Sequence, residues 1–455
     1  MFFTMPFGKF FGGKSAPKAA PTAAEAEAAT SPDAELDEDV VDRDEAAPEE
    51  ISAEQDDADW LARARAVLPT GASTGSKRIA GLYGSEDAVG PTHFYQAVGC
   101  RVTDPNGNDY VDCTMALGAV ALGYAEPNVT REVVDAIAAG NVAGLSHIRE
   151  VDIAERLCGI IPCADQVQFL KTGAEAIAAA VRIARTYTAR DVVIGSGYFG
   201  WLDWCADDTA GVPQATRDQF RRVVWDDIAA LERAVGDAGS SLAAIVIEPV
   251  VERLPSPEWI SRARELATQA GAALIFDEIK TGFRLKTGGY QAYADVMPDL
   301  SAFGKAMANG FPLSAVVGHR ELMDAAKKTW ISSTLASEAS ALAAAGAVLA
   351  WHDQADVCES LWTIGADMRH AVSSAIAASG VGGVSVDGLD PMWLLRWDDP
   401  RREQRFLELA AEHGVLFKRG AYNFAALAHD EEAIRDLESG ASSAFVELRD
   451  EDERA

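Results

Sequence analysis

The sequence predicts an α/β fold, with a mainly parallel sheet covered by helices on both faces and a smaller α+β domain beside it. From about Val98 to Lys305, short apolar runs of strand length alternate with helical segments. Such alternation is typical of parallel sheets, because two parallel strands need a crossover connection. The chain has 455 residues, 48% of them hydrophobic, which is enough for a large core and two domains.

We expect three parts along the chain. Residues 1–58 form an acidic tail that begins with an apolar peptide, residues 111–343 form the large domain, and residues 59–110 and 344–448 together form the small domain. In the first small-domain segment, DPNGNDYVD predicts a hairpin, since Asn-Gly favours a tight turn between strands.

The tail differs in composition from the rest of the chain. Between Glu25 and Asp59 nearly every ionisable residue is acidic and large apolar residues are few, which predicts disorder. The first residues, MFFTMPFGKFFGGK, carry five phenylalanines and two lysines. This stretch is too short and interrupted for a transmembrane helix and lacks a signal-peptide core. Residues 1–14 are therefore either a docking peptide or an inert terminus.

Charge and cysteine content exclude some functions. The formal net charge of −30 argues against nucleic acid as a partner, because phosphate backbones select for lysine and arginine. The six cysteines lack metal-type spacing and the seven histidines form no HExxH motif, so we expect no metal site. A reducing cytoplasm is the simplest setting for such a chain.

Two apolar runs end at side chains suited to cofactor chemistry. Residues 273–276 precede Asp277, and residues 300–303 lead to Lys305 about one βαβ spacing later, so both side chains should open on one sheet edge. Pyridoxal phosphate (PLP) needs such a pair, because a lysine amine bonds its aldehyde and a carboxylate keeps its ring nitrogen protonated. A helix cap and a solvated lysine are the ordinary alternatives.

Several separated motifs surround this pair. With FLKTGAEA, GYFGW, IVIEPV, LIFDEIKTGFR, GKAMANG and ISSTLASEA in this order, the chain resembles the class III aminotransferases, in particular the branch containing glutamate-1-semialdehyde aminomutase. The resemblance covers residues 68–435. It implies the fold of the fold type I PLP enzymes, with a seven-stranded, mainly parallel sheet, and PLP held by Lys305 as an aldimine.

The motifs also indicate cofactor-binding residues. In KTGAEA, a strand-to-helix turn leaves the amides of Gly173 and Ala174 free to bind the cofactor phosphate. By resemblance, Tyr198 stacks on one face of the ring, and the family often has histidine where this chain has Phe199. Ile279 is expected to pack on the opposite face. A core position is the alternative for Tyr198 and Ile279.

Further positions are implied by the resemblance. Glu248 would lie near the ring oxygen or the substrate, although a structural carboxylate at a strand end is equally expected. Thr334 would reach the phosphate of the neighbouring subunit, which makes the enzyme a homodimer with shared sites. A helix is predicted directly after it, over residues 336–351. Ser76 and Arg78 in PTGASTGSKR would hold a substrate carboxylate, which suits the planar arginine fork. Arg78 could instead be a surface residue, and Arg419 is another candidate.

The expected reaction is amino transfer between a small amino compound and an oxo acceptor. Lys305 would bond the cofactor and then, as a free amine, move a proton. An intramolecular transfer of the glutamate-1-semialdehyde aminomutase type is the alternative. A binding or scaffold protein that keeps the fold is a third hypothesis, which an intact Lys305 and Asp277 disfavour.

Overall fold

The computed structural model describes residues 56–294 and 296–454. The apolar peptide and most of the acidic tail therefore lie outside the described residues. The first described helix is Asp57–Val67, and the Asp56 side chain caps it by accepting from the Asp59 amide at 2.9 Å. Two residues that we assigned to the tail, 57 and 58, thus belong to this helix.

Fourteen strands are described, numbered here in chain order. They are β1 (Gln96–Val98), β2 (Arg101–Thr103), β3 (Asp109–Asp112), β4 (Gln166–Leu170), β5 (Val192–Ser196), β6 (Phe220–Arg222), β7 (Leu242–Ile247), β8 (Ala273–Asp277), β9 (Leu300–Phe303), β10 (Ser314–Gly318), β11 (Val384–Leu389), β12 (Met392–Trp397), β13 (Val415–Leu416) and β14 (Asn423–Phe424).

These strands form three sheets. The largest has seven strands in the order β4-β10-β9-β8-β7-β5-β6. Only β10 runs antiparallel to its neighbours in this sheet; the remaining pairs are parallel. Two smaller sheets have the orders β1-β2-β3-β13 and β11-β12-β14. The predicted mainly parallel sheet is confirmed, and so is the Asn-Gly hairpin, which joins antiparallel β2 and β3.

Ten helices of the described chain are longer than ten residues. After the first they are Pro127–Ala139, Ile148–Ile160, Gly173–Thr188, Ile228–Ala238, Pro257–Ala270, Ala339–Gln354, Val357–Ser379, Pro400–Glu412 and Glu431–Asp452. Shorter helices are Ile79–Tyr83, Gln214–Arg217, Tyr290–Ala294 and Arg320–Met323. Within the described chain, no helix has the length and apolar character needed to cross a membrane.

Both faces of the large sheet are covered. All six residues of β7 are buried, and successive side chains point to opposite faces. Val246 packs in a core with the helix Gly173–Thr188, whereas its neighbour Ile247 packs in a second core with the helix Pro257–Ala270. This explains why the central strands are apolar throughout, and it confirms the helix-sheet-helix layering.

Candidate active site

The central strands bring Asp277 and Lys305 to one edge of the large sheet. Asp277 is the last residue of β8 and pairs in register with Ala302 of the neighbouring parallel strand β9. Lys305 follows Ala302 by three residues and begins a 3-10 turn, Lys305–Ala308. Because carboxyl ends of parallel strands meet at the same edge, the two side chains share one site, as the sequence predicts.

Burial and neighbouring charges shift the pKa values of both groups. Asp277 is 5% exposed, and burial, together with the nearby Glu248 carboxylate, raises its pKa to about 7. Burial and the positive charge of Lys280 lower the pKa of Lys305 to about 8. The site therefore offers an amine that is partly neutral near pH 8. Beside it lies a carboxyl group whose ionised form a cationic partner would stabilise.

A helix N-terminus lies at the same edge. Thr172 caps the helix Gly173–Thr188 through a capping box with Glu175, whose carboxylate accepts from the Thr172 amide at 2.8 Å. The amides of Gly173 and Ala174 belong to the first turn and so have no intrahelical partner. Such amides attract an anion, especially a phosphate.

Ile279 packs between this helix start and the lysine segment. A Cβ on Gly173 would come within 2.6 Å of Ile279 Cδ1, and one on Gly304 would lie 3.8 Å from Ile279 Cγ2. Ile279 thus lies beside the predicted phosphate site and the residue before Lys305. A side chain at position 173 would force Ile279 to shift, so glycine permits the close approach seen here.

The GYFGW loop closes another side of the site. Gly197 and Gly200 have positive φ and press against Glu248 and Ala174, respectively. Tyr198 between them is 66% exposed, and its amide donates to Glu248 Oε2 at 3.0 Å. The tyrosine ring is therefore carried on a fixed loop beside the predicted phosphate site.

Phe199, at the position where the family often has histidine, is a buried residue of the same loop. Its ring lies 5.9 Å from the ring of Trp204 and 6.4 Å from that of Phe220. This residue contributes to the core behind the loop, so its apolar character has a structural reason.

Sequence reasoning missed Lys280. This lysine is 7% exposed, and its Nζ lies 2.6 Å from Glu248 Oε1 and 4.1 Å from the ring centroid of Tyr422. Burial opposes its charge, but Glu248 and Tyr422 together outweigh burial and raise the pKa of Lys280. The only signal in the sequence was a lysine three residues beyond Asp277, in LIFDEIK.

A strained turn near the site was also missed. Residues 115–117 have φ angles of 42°, 51° and 59°, a left-handed conformation that costs about 1–3 kcal/mol for each residue with a side chain. Two side chains hold the backbone that follows this turn. Arg284 donates to Gly118 O at 3.1 Å, and Asn309 Oδ1 accepts from the Ala121 amide at 3.0 Å. Arg284 and Asn309 belong to the TGFR and GKAMANG motifs, so these motifs fix the turn.

The structure places one of the two predicted substrate residues, Arg78, in a cavity that the lysine segment does not border. Ser76 and Arg78 are half-buried, and Arg78 lies on the wall of a cavity of about 500 Å³. Lining residues of this cavity come from segments 61–124 and 407–417, not from the lysine segment. Arg419 is near Glu403, with 3.9 Å between Nε and Oε2.

Thr334 lies on the surface of the described chain. It is exposed in the segment between residues 329 and 338, next to Leu335, which is exposed as well. The helix predicted to follow from residue 336 begins at Ala339, because the Glu338 side chain caps it by accepting from the Ser340 and Ala341 amides.

Comparison with known proteins identifies the family. The family model described as aminotransferase class-III matches residues 84–198 and 207–429. The chain belongs to this family. It is 34% identical to 2'-deamino-2'-hydroxyneamine transaminase from Streptomyces kanamyceticus, over 74% of this chain and 86% of that protein.

Other class III relatives match over a longer part of the chain. Glutamate-1-semialdehyde 2,1-aminomutase from Polynucleobacter asymbioticus is 27% identical, over 85% of this chain and 97% of that enzyme. The structure of the FumI protein from Sphingopyxis sp. MTA144, in its PLP internal aldimine form, superposes with a TM-score of 0.82. It is 26% identical, covering 87% of this chain and 97% of that one.

These findings confirm the predicted fold type, cofactor and class of reaction: the chain is a PLP-dependent enzyme that transfers amino groups. The residues at the sheet edge fit this cofactor. They offer an amine of lowered pKa, a buried carboxyl group, and a helix N-terminus suited to phosphate.

Capture of PLP by the cofactor-free enzyme should depend on pH. Lowering the pKa of Lys305 from 10.5 to about 8 leaves roughly 300-fold more neutral amine at neutral pH. The neutral amine is the nucleophile, so the capture rate should rise as pH increases through about 8 and then level off. Stopped-flow absorbance after mixing with PLP measures this rate. An inflection near the ordinary lysine pKa would contradict the lowered value.

Proposed function

We propose that Lys305 is the residue that binds the PLP aldehyde and that Asp277 pairs with the cofactor's ring nitrogen. The observation that carries this proposal is their position at the carboxyl ends of two neighbouring strands, β8 and β9. Bound PLP supplies an electron sink for the substrate carbon. A negative Asp277 keeps the ring nitrogen protonated, and Lys305, once released, moves a proton as general acid and base.

The rest of the proposed site follows from the contacts around this pair. The amides of Gly173 and Ala174 would hold the phosphate, since the helix start leaves them free. Ile279 and the ring of Tyr198 would enclose the cofactor ring from its two faces. Glu248 would lie beside the ring, supported by its proximity to Asp277 and its bond to the Tyr198 loop.

We propose transamination between a small amino compound and an oxo acceptor as the reaction. The similarity to a named transaminase at 34% identity supports it. Intramolecular aminomutase chemistry is the second candidate, supported by a relative that matches over 97% of its own length. In both cases Ser76 and Arg78 stay predictions for the substrate carboxylate, since Arg78 lines a cavity that the lysine segment does not border.

One experiment separates these reactions. The loaded enzyme is mixed with a panel of amino donors without acceptor, and the cofactor spectrum is followed. A transaminase should convert all its cofactor to the aminated form and release one oxo product per site. An aminomutase should instead turn over glutamate 1-semialdehyde alone, with no second substrate. Turnover of the semialdehyde and no net conversion by any donor would overturn the transaminase assignment.

We also propose a cytoplasmic homodimer with shared active sites. Exposure of Thr334 and Leu335 on one segment supports a partner surface there, and Thr334 would then serve the neighbouring subunit's phosphate. The six cysteines are all free thiols, which suits a reducing compartment. Sedimentation equilibrium should give twice the mass of the chain; a monomer that turns over at full rate would contradict the shared site. Docking by residues 1–14 stays a prediction.

A further inference from the structure

Lys280 is a second lysine in the site, and it is held by unusually specific contacts. Lysine is seldom buried unless its charge is paired. Lys280 lies three residues beyond Asp277 and contacts the Glu248 carboxylate at 2.6 Å and the face of the Tyr422 ring at 4.1 Å. The Tyr422 hydroxyl is itself fixed, since it accepts from the Glu252 amide at 2.7 Å. The ammonium group is thus enclosed between a carboxylate and an aromatic face.

The Glu248 carboxylate connects Lys280 to the GYFGW loop. One oxygen, Oε1, faces Lys280, and the other, Oε2, accepts from the Tyr198 amide at 3.0 Å. The loop is pressed against the same side chain, because a Cβ on Gly197 would approach Glu248 Cβ to 2.3 Å. Any movement of the Glu248 carboxylate would therefore shift the loop that carries the Tyr198 ring.

Four charged groups act on Lys305 from the surrounding elements. After burial, Lys280 is the largest cause that lowers its pKa, and Arg284 acts in the same direction. Glu248 and Asp277 act in the opposite direction. Lys280 and Glu248 form one ion pair, so a change in that contact alters both of their opposing effects on the pKa of Lys305.

We propose that Lys280 is a positioning residue for this site, which clamps Glu248, and through it the Tyr198 loop, and so fixes the charge balance around Lys305. This rests on the proposed role of Lys305. The charge balance, however, is a property of the protein without its cofactor. It can therefore be measured whether or not Lys305 binds PLP.

The test is the pH dependence of Lys305 acetylation in the cofactor-free protein, read by peptide mass. Lys280→Gln keeps a hydrogen bond to Glu248 but removes a positive charge, so the pKa of Lys305 should rise. Glu248→Gln removes a negative charge, so that pKa should fall. For shifts of about one unit, labelling near neutral pH should drop roughly tenfold in the first variant and rise roughly fivefold in the second. The double variant should return close to the wild type.

A second readout follows the loop. Hydrogen exchange at the Tyr198 amide should be faster in Lys280→Gln than in the wild type, because the Glu248 carboxylate is held less firmly. Lys327→Gln is the control, since Lys327 forms a pair with Asp324 on the surface, outside the proposed site. This control should leave both the Lys305 pH profile and the Tyr198 exchange rate unchanged.

The outcomes separate the two proposals. An unchanged Lys305 profile in Lys280→Gln, or an equal change in Lys327→Gln, would overturn the positioning role and show a purely structural ion pair. Failure of the cofactor to bond Lys305 would instead overturn the proposed function, while the shifts among the Lys280 and Glu248 variants would persist.

Discussion

Replacing Lys305 by alanine is expected to lower turnover by at least about 10⁴-fold, because in the proposed mechanism the same side chain bonds the cofactor and transfers the proton. The fold should persist. Lys305 adopts a φ of 48°, where alanine is no more strained than lysine, and the strands β8 and β9 beside it are fully buried without its help. Turnover with the best donor and thermal unfolding by circular dichroism measure the two effects.

Lys327→Ala serves as the control for this variant. Lys327 is an exposed lysine paired with Asp324 on the surface, a contact that contributes little. The Lys327→Ala variant should keep both the wild-type activity and the wild-type unfolding temperature. If Lys305→Ala retained more than a small fraction of wild-type turnover while folded, the proposed chemical role of Lys305 would be wrong.

Replacing Arg284 by alanine is expected to have the largest effect on stability. The guanidinium group is fully buried, and burial lowers its pKa to about 10. It donates to four backbone carbonyls of distant segments, at distances of 2.8 to 3.4 Å: those of Gly118, Val120, Pro391 and Ala425. Losing these donors should cost about 3–5 kcal/mol, at about 1 kcal/mol for each unpaired carbonyl and more for the cavity.

Chemical denaturation with an unchanged denaturant slope measures this loss. Arg262→Ala is a suitable comparison, since Arg262 forms only partly exposed pairs with Glu232 and Glu265 and should cost under about 1 kcal/mol. Arg284→Lys should fall between the two, because one ammonium group cannot reach all the carbonyls. Equal stability of the Arg284→Ala and Arg262→Ala proteins would show that the buried guanidinium does not hold these segments together.

The strands of the large sheet could be predicted from sequence because their physical signal is local. β9 agrees residue for residue with its predicted apolar run, and β8 is longer than its run by one residue, Asp277. Such runs are buried on both faces and are bounded by residues that end a strand. The helix Ala339–Gln354 was placed three residues too early, because the cap at Glu338 depends on side-chain hydrogen bonds that alanine-rich periodicity does not reveal.

The Asp277 and Lys305 pair could be predicted from the sequence for the same reason, since each residue lies at or just beyond the end of its strand. Lys280 and Arg284 were not. Their partners lie far along the chain, Glu248 for Lys280 and the carbonyls at residues 118 and 425 for Arg284, so periodicity carries no trace of these contacts. Residues this far apart in sequence come into contact only when the chain has folded. The burial of these charged side chains, which points to their importance, is visible only in the structure.

The most direct test of the proposed role of Lys305 is borohydride reduction of the PLP-loaded enzyme, followed by peptide mass mapping. Reduction should fix one cofactor per chain, and the added mass should fall on Lys305 within GKAMANG. Lys280, although buried in the same site, should stay unmodified because Glu248 holds it as a cation. A mass addition on Lys280 or on any other lysine, or no fixed cofactor at all, would contradict the account.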